Sequence, residues 1–189
     1  MSQALFSVAS GAKYHEERLD VLANNLSNIN TTGYKKDKLI FRIPKEEGER
    51  LEKPGVMSSL YSSPPVPSGI TIDFSQGDLK QTDHPLDLAL SGDGFFCIDA
   101  PDGTRYTRKG IFDLDQDGTL VTKEGHPVLV TKEGTPIQGG GESIKISGQD
   151  VRVDENGKVH VDGERVGAIK VVRIIDLHNL RKVGDTMFA

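Results

Sequence analysis

The 189-residue sequence has a single cysteine, Cys97, which excludes an internal disulfide and any multi-cysteine metal site. Its neighbours Phe95, Phe96 and Ile98 predict a buried, inert thiol. No uncharged apolar run approaches the roughly 20 residues needed to cross a bilayer. The N-terminus also lacks a basic segment followed by an apolar block and a cleavage site. Composition therefore predicts no direct membrane insertion, and either a cytoplasmic protein or one exported without a cleaved signal. Positive charge is not in excess. Lys+Arg 23 against Asp+Glu 28 leaves −5, so no general attraction to nucleic acid is expected. Hydrophobic residues reach only 35%, enough for one core of modest size. The five histidines (His15, His84, His126, His160, His178) share no zinc spacing and do not stand beside a nucleophile. Gly139-Gly140-Gly141 has neither a following helix nor a Lys-Ser/Thr pair, which argues against a phosphate loop. Neither catalysis nor a cofactor is predicted.

What the sequence does have begins at its start. Leu5, Val8, Ala12, His15, Leu19, Leu22, Leu26 and Ile29 alternate by steps of three and four, the a/d spacing of a helix seam that meets another helix. A helix from Leu5 to Ile29 would be about 37 Å long. Its six large aliphatics would contribute roughly 9–18 kcal/mol if fully buried, and such a helix is marginal alone in water. Gly33 sits where a left-handed residue would end it. Asn24, Asn25 and Asn28 crowd the helix end although Asn is a mediocre helix former. Their carboxamides could fix the register of packed helices or simply tolerate fraying. Lys35, Lys36 and Lys38 read as a solvated turn after the helix.

From Lys45 to Gly69 the composition shifts to Glu, Ser and Pro, predicting an extended linker with polyproline character. From Ile70 the apolar period falls to two. Alternating runs at 70–74, 86–90, 112–114, 128–130, 144–146, 151–153 and 159–161 predict antiparallel strands. Turn signals separate them: Asp93-Gly94, Asp102-Gly103, Asp117-Gly118, Glu124-Gly125, Glu133-Gly134, Asn156-Gly157 and Asp162-Gly163. The run Val166–Ile175 is apolar on both faces and reads as one central strand. The expected fold class is mainly β with an N-terminal α-helix. Residues 1–34 would be a coiled-coil-type assembly helix, 35–69 an extended linker, and 70–189 an antiparallel β domain.

One stretch imitates a metal site. Asp113, Asp115, Asp117, Gly118 and Glu124 occupy positions 1, 3, 5, 6 and 12 of an EF-hand calcium loop. An EF-hand requires a helix on each side, whereas both flanks read as strands, so a hairpin is the expectation.

The run Leu19–Lys35, containing Asn24-Asn25-Leu26-Ser27-Asn28-Ile29-Asn30-Thr31-Thr32-Gly33-Tyr34, resembles the N-terminal signature of bacterial flagellar rod and hook axial proteins. Gln76–Phe96 is similar to the entry into their β domain, and Tyr106–Leu129 to its hairpin. The resemblance implies a structural subunit of the basal-body rod, of proximal rather than distal type, that polymerises into a torque-transmitting tube. It implies an assembly interface at Leu5, Val8, Ala12, Leu19, Leu22, Leu26 and Ile29. It also implies a helix-end motif at Asn24, Asn25, Asn28, Thr32, Gly33 and Tyr34. The implied partners are other axial proteins, further copies of the chain and the flagellar type III export apparatus. Family members usually carry a second, C-terminal amphipathic helix. This sequence reaches Ala189 in strand-like residues, so no internal partner for the seam is expected. Two other classes remain open: a secreted β module holding calcium or a glycan, and a regulator or chaperone that captures an axial protein's helix.

Overall fold

The computed structural model describes residues 2–42, 66–131, 142–148, 150–184 and 186–189. It divides into two compact units, Met1–Ile29 with Lys35–Phe74, and Asn30–Tyr34 with Ser75–Ala189. The Gly139–Gly141 run, the Glu133-Gly134 turn and most of the Pro-rich stretch lie outside the described residues.

In the first unit, helix α1 (Ser2–Ser27) is followed by strands β1 (Asp37–Arg42) and β2 (Val66–Ile72), which pair antiparallel with Leu39 opposite Ile70. The span expected to be an extended linker thus carries strand at both ends. The short apolar run Leu39-Ile40-Phe41 suffices for one half of a ribbon. The ribbon packs on α1: the Tyr14 and Phe41 rings lie 4.9 Å apart. Gly11, Tyr14, Val21 and Asn25 form a half-buried stripe on the helix, continued by Asn28 just past its end. That stripe stands one residue back from the seam, about 100° round the helix. The lysines after α1 are not a simple solvated turn. Lys35 is buried, and Lys36 and Lys38 both reach Asp73, at 3.3 and 2.8 Å. The ribbon's own pairing creates that contact, because it returns Asp73 opposite Lys36, whose carbonyl accepts from the Asp73 N–H.

The second unit is antiparallel β. Strands β3 (Phe95–Ala100), β4 (Gly103–Thr107), β5 (Phe112–Leu114), β6 (Leu120–Thr122) and β7 (Leu129–Thr131) come first. They are followed by β8 (Glu142–Ser143), β9 (Val151–Val153), β10 (Lys158–Val161), β11 (Glu164–Ile169), β12 (Val171–Val172) and β13 (Met187–Phe188). One sheet has the order β8-β7-β11-β10-β9 and another β12-β3-β4-β13, while β5 and β6 form a hairpin. Alternating Val, Ile and Phe supply the inward faces: Phe96, Ile98, Phe112, Leu120, Val128, Val130, Val159 and Ile169 share one core. Phe96 and Phe112 meet edge to face at 5.2 Å.

Three strand expectations need correction. Residues 144–146 form no strand: β8 ends at Ser143, and Lys145 makes an isolated bridge to Thr119. Val166–Ile175 is not one strand. Its chain changes sheets at Lys170, so β11 is central in the first sheet while β12 lies on the edge of the second. Residues 86–90 alternate in sequence yet form no strand beyond a single bridge from Asp87 to Ile111. The Leu88 N–H donates to the Gly110 carbonyl at 2.7 Å, tying this segment down as an irregular arm. The turn glycines at 103, 118, 125, 157 and 163 all take positive φ; near Asp93 it is Gly92 that does so, not Gly94. Cys97 is 1% exposed in β3, and burial pushes its thiol up to about 11, against a smaller opposing pull from Lys170. The group is therefore neutral and unreactive at physiological pH.

Candidate assembly site

From Val8 onward the seam residues lie on the uncovered side of α1. Val8, Leu19, Leu22, Leu26 and Ile29 are between 53% and 72% exposed, and Ala12 and His15 are also exposed. Leu5 is helical. Within its own unit the chain thus buries the Tyr14–Val21–Asn25 stripe and leaves the Leu/Ile/Val stripe open. Sequence periodicity singled out the stripe that solvent touches and missed the one that packs. Tyr14 and Val21, seven residues apart, were the only signal for the second.

The asparagines settle into two local jobs. The Asn25 carboxamide pairs with one backbone residue twice: its Nδ2 donates to the Asp37 carbonyl at 2.9 Å, and the Asp37 N–H donates to its Oδ1 at 2.9 Å. A side chain here imitates a neighbouring strand, which pins the start of β1 to the last turn of the helix. Asp37 stands opposite Ile72 at a position of the ladder where main-chain groups point away from β2, so the edge would otherwise lack partners. Asn28 acts differently. Its Nδ2 donates to the Asn24 carbonyl at 3.1 Å, beside the Ser27 hydroxyl at 2.9 Å, and both add to the Asn28 N–H that the same carbonyl already accepts at 3.2 Å. Replacing Asn25 with Ala should cost about 1–3 kcal/mol through two unmet backbone groups. Urea unfolding, with amide exchange at Asp37, measures this, and unchanged exchange at Asp37 would refute it.

Gly33 does not end the helix. Ser27 does, because the Asn24, Ser27 and Asn28 contacts close the last turn early. Gly33 has φ 75° in a later turn, and a Cβ there would stand 2.5 Å from the Lys109 nitrogen. Tyr34 closes that turn, its N–H donating to the Thr31 carbonyl at 3.2 Å. Thr32 is exposed.

The calcium-like residues are spent otherwise. Asp115 Oδ1 accepts from the Asp117 and Thr119 N–H groups at 2.9 and 2.7 Å, with strands β5 and β6 on either side. Glu124 pairs with Lys109 at 2.6 Å. Partial burial pushes its pKa up, but the hydrogen bonds from Lys109, its own backbone and Thr122 win, and its carboxyl sits below the ordinary glutamate value. The same turn recurs at Asp154, whose Oδ1 accepts from Asn156 and Lys158 at 2.8 and 2.9 Å. The Lys158 N–H in particular holds that carboxyl below its usual range. Asp-x-(Asp/Asn)-Gly is thus a hairpin device in this chain. No cluster of three potential metal ligands occurs among the described residues, and no described helix is long and apolar enough to cross a membrane.

Residues 89–161 match the family described as flagellar hook protein FlgE/F/G D1 domain, and residues 8–35 match the flagella basal body rod protein family. Over 208 residues the chain is 36% identical to the flagellar basal-body rod protein FlgG of Bacillus subtilis, covering 100% of this chain and 73% of that protein. It is 36% identical to the rod protein FlgF of Caulobacter vibrioides, with 100% and 73% covered. Against FlgG of Agrobacterium fabrum the identity is 31%, covering 99% of this chain and 73% of the relative. The chain belongs to the flagellar basal-body rod protein family, whose members are structural.

Proposed function

We propose that this chain is a non-catalytic subunit of the flagellar basal-body rod, built into the axial tube through Leu5, Val8, Ala12, Leu19, Leu22, Leu26 and Ile29. The supporting observation is the exposure of Val8, Ala12, Leu19, Leu22, Leu26 and Ile29 beside a stripe of α1 that is already packed. Burying Val8, Leu19, Leu22, Leu26 and Ile29 against neighbouring helices would contribute roughly 7–15 kcal/mol gross. That is enough to offset an association cost of about 4–15 kcal/mol only when several contacts form at once, as they do in a polymer. Residues 1–34 then serve assembly, and 70–189 clothe the tube.

The partners are copies of this chain and other rod and hook proteins, reached by passage through the type III export apparatus. A single β domain of this size suits proximal and distal segments alike, and we place it in the proximal rod. Quantitative mass spectrometry of purified basal bodies tests the proposal. Several copies per rod are expected. A soluble stoichiometric complex that never enters the basal body would instead favour a helix-capturing regulator.

A further inference from the structure

Asn30–Tyr34 begins two residues after α1, yet it belongs to the β unit rather than to the helix unit. Two contacts hold it there. Gly33 lies against the Arg108–Lys109 peptide so closely that an added Cβ would meet the Lys109 nitrogen at 2.5 Å, its Cα at 2.6 Å and the Arg108 carbonyl carbon at 2.7 Å. Only a residue without a side chain fits, and only glycine takes the positive φ readily. One residue on, the Lys182 ammonium stands 4.4 Å from the centre of the Tyr34 ring, within range of a cation–π attraction.

The surfaces that receive these residues are themselves fixed. The Lys109 N–H donates to the Thr107 hydroxyl at 3.0 Å, and that hydroxyl, buried, donates to the Thr186 carbonyl at 2.8 Å. Lys182 bridges to Phe188, a fully buried core residue. Both contacts therefore end on the β4–β13 side of the domain.

We infer that Asn30–Tyr34 is a coupling tab: the β domain grips the chain just after the assembly helix, through a glycine seated on the Lys109 backbone and a tyrosine held by Lys182. Only Asn28 and Ile29 separate the last helical residue from the gripped segment, so a pull on the helix reaches the β core through two residues of chain. This rests on the rod assignment for its purpose, but the grip itself does not.

The test uses the full chain, with hydrogen exchange read over 30–34 and 106–110. Tyr34→Leu and Lys182→Met should each speed exchange there about tenfold, with no further gain in the double variant. Tyr34→Phe, which keeps the ring face, should exchange like the parent, and Phe95–Ile98 should stay protected in all of them. Unchanged exchange in Tyr34→Leu, a Tyr34→Phe as fast as Tyr34→Leu, or multiplicative effects in the double variant would overturn the grip. In cells, Lys182→Met should leave basal bodies with normal amounts of the chain while swimming fails in viscous medium. Normal swimming there would overturn the coupling role. Absence of the parent chain from basal bodies would overturn the rod assignment and the tab's purpose, leaving the grip to the exchange result.

Discussion

Cells carrying Leu22→Gln together with Leu26→Gln should be non-motile and should lack this chain in their basal bodies, although the purified variant folds normally. Both side chains are more than half exposed on α1. Surface replacements of this kind usually move stability by no more than about 0.5 kcal/mol each. In a polymer the same positions would sit between helices, where each buried leucine contributes roughly 1.5–3 kcal/mol. The two lost leucines would then remove several kcal/mol from every subunit contact, which multiplies along a tube. The combination of an unchanged unfolding curve with lost assembly is diagnostic. If swimming and basal-body composition stay normal, the seam is not the assembly surface. If the purified variant unfolds instead, these residues serve the fold.

The opposite pattern is expected for Phe112→Ala. Phe112 is 0% exposed, and its ring meets Phe96 edge to face between the β5–β6 hairpin and β3. Truncating a buried Phe costs about 3–5 kcal/mol, a large share of the 5–15 kcal/mol typical of a whole domain. Thermal unfolding followed by circular dichroism should show a drop of about 15 °C or more, with α1 seam chemistry untouched. A drop of only a few degrees would mean that the hairpin packs independently of the sheets. Motility should fail in this variant through loss of folded protein, which immunoblotting of cell extracts separates from failed incorporation.

Asp115 shows how sequence logic reached the right local structure through a misleading motif. Its spacing copies an EF-hand, but the flanking strands dictated a hairpin, and its carboxylate caps two backbone N–H groups. The repeat of that arrangement at Asp154 is legible in the sequence as Asp-Glu-Asn-Gly. Asn25 was visible as an anomaly but not as a strand mimic, because its partner Asp37 is twelve residues away and lies across a turn. Residues 86–90 failed for a related reason. Alternation licenses a strand only where another strand offers a free edge, and here Gly110 takes the backbone groups instead.

The sequence alone determined the helix, its apolar seam, the antiparallel β character of the remainder, most turn glycines and the burial of Cys97. Each follows from periodicity or backbone preference within a few residues. Tertiary structure alone decided which stripe of α1 packs, where the Val166–Ile175 run changes sheets, and why Gly33 must be glycine. Those outcomes depend on what the chain brings alongside from far away in sequence, and a residue's local propensity carries no record of a neighbour seventy-six positions distant, as Lys109 is from Gly33.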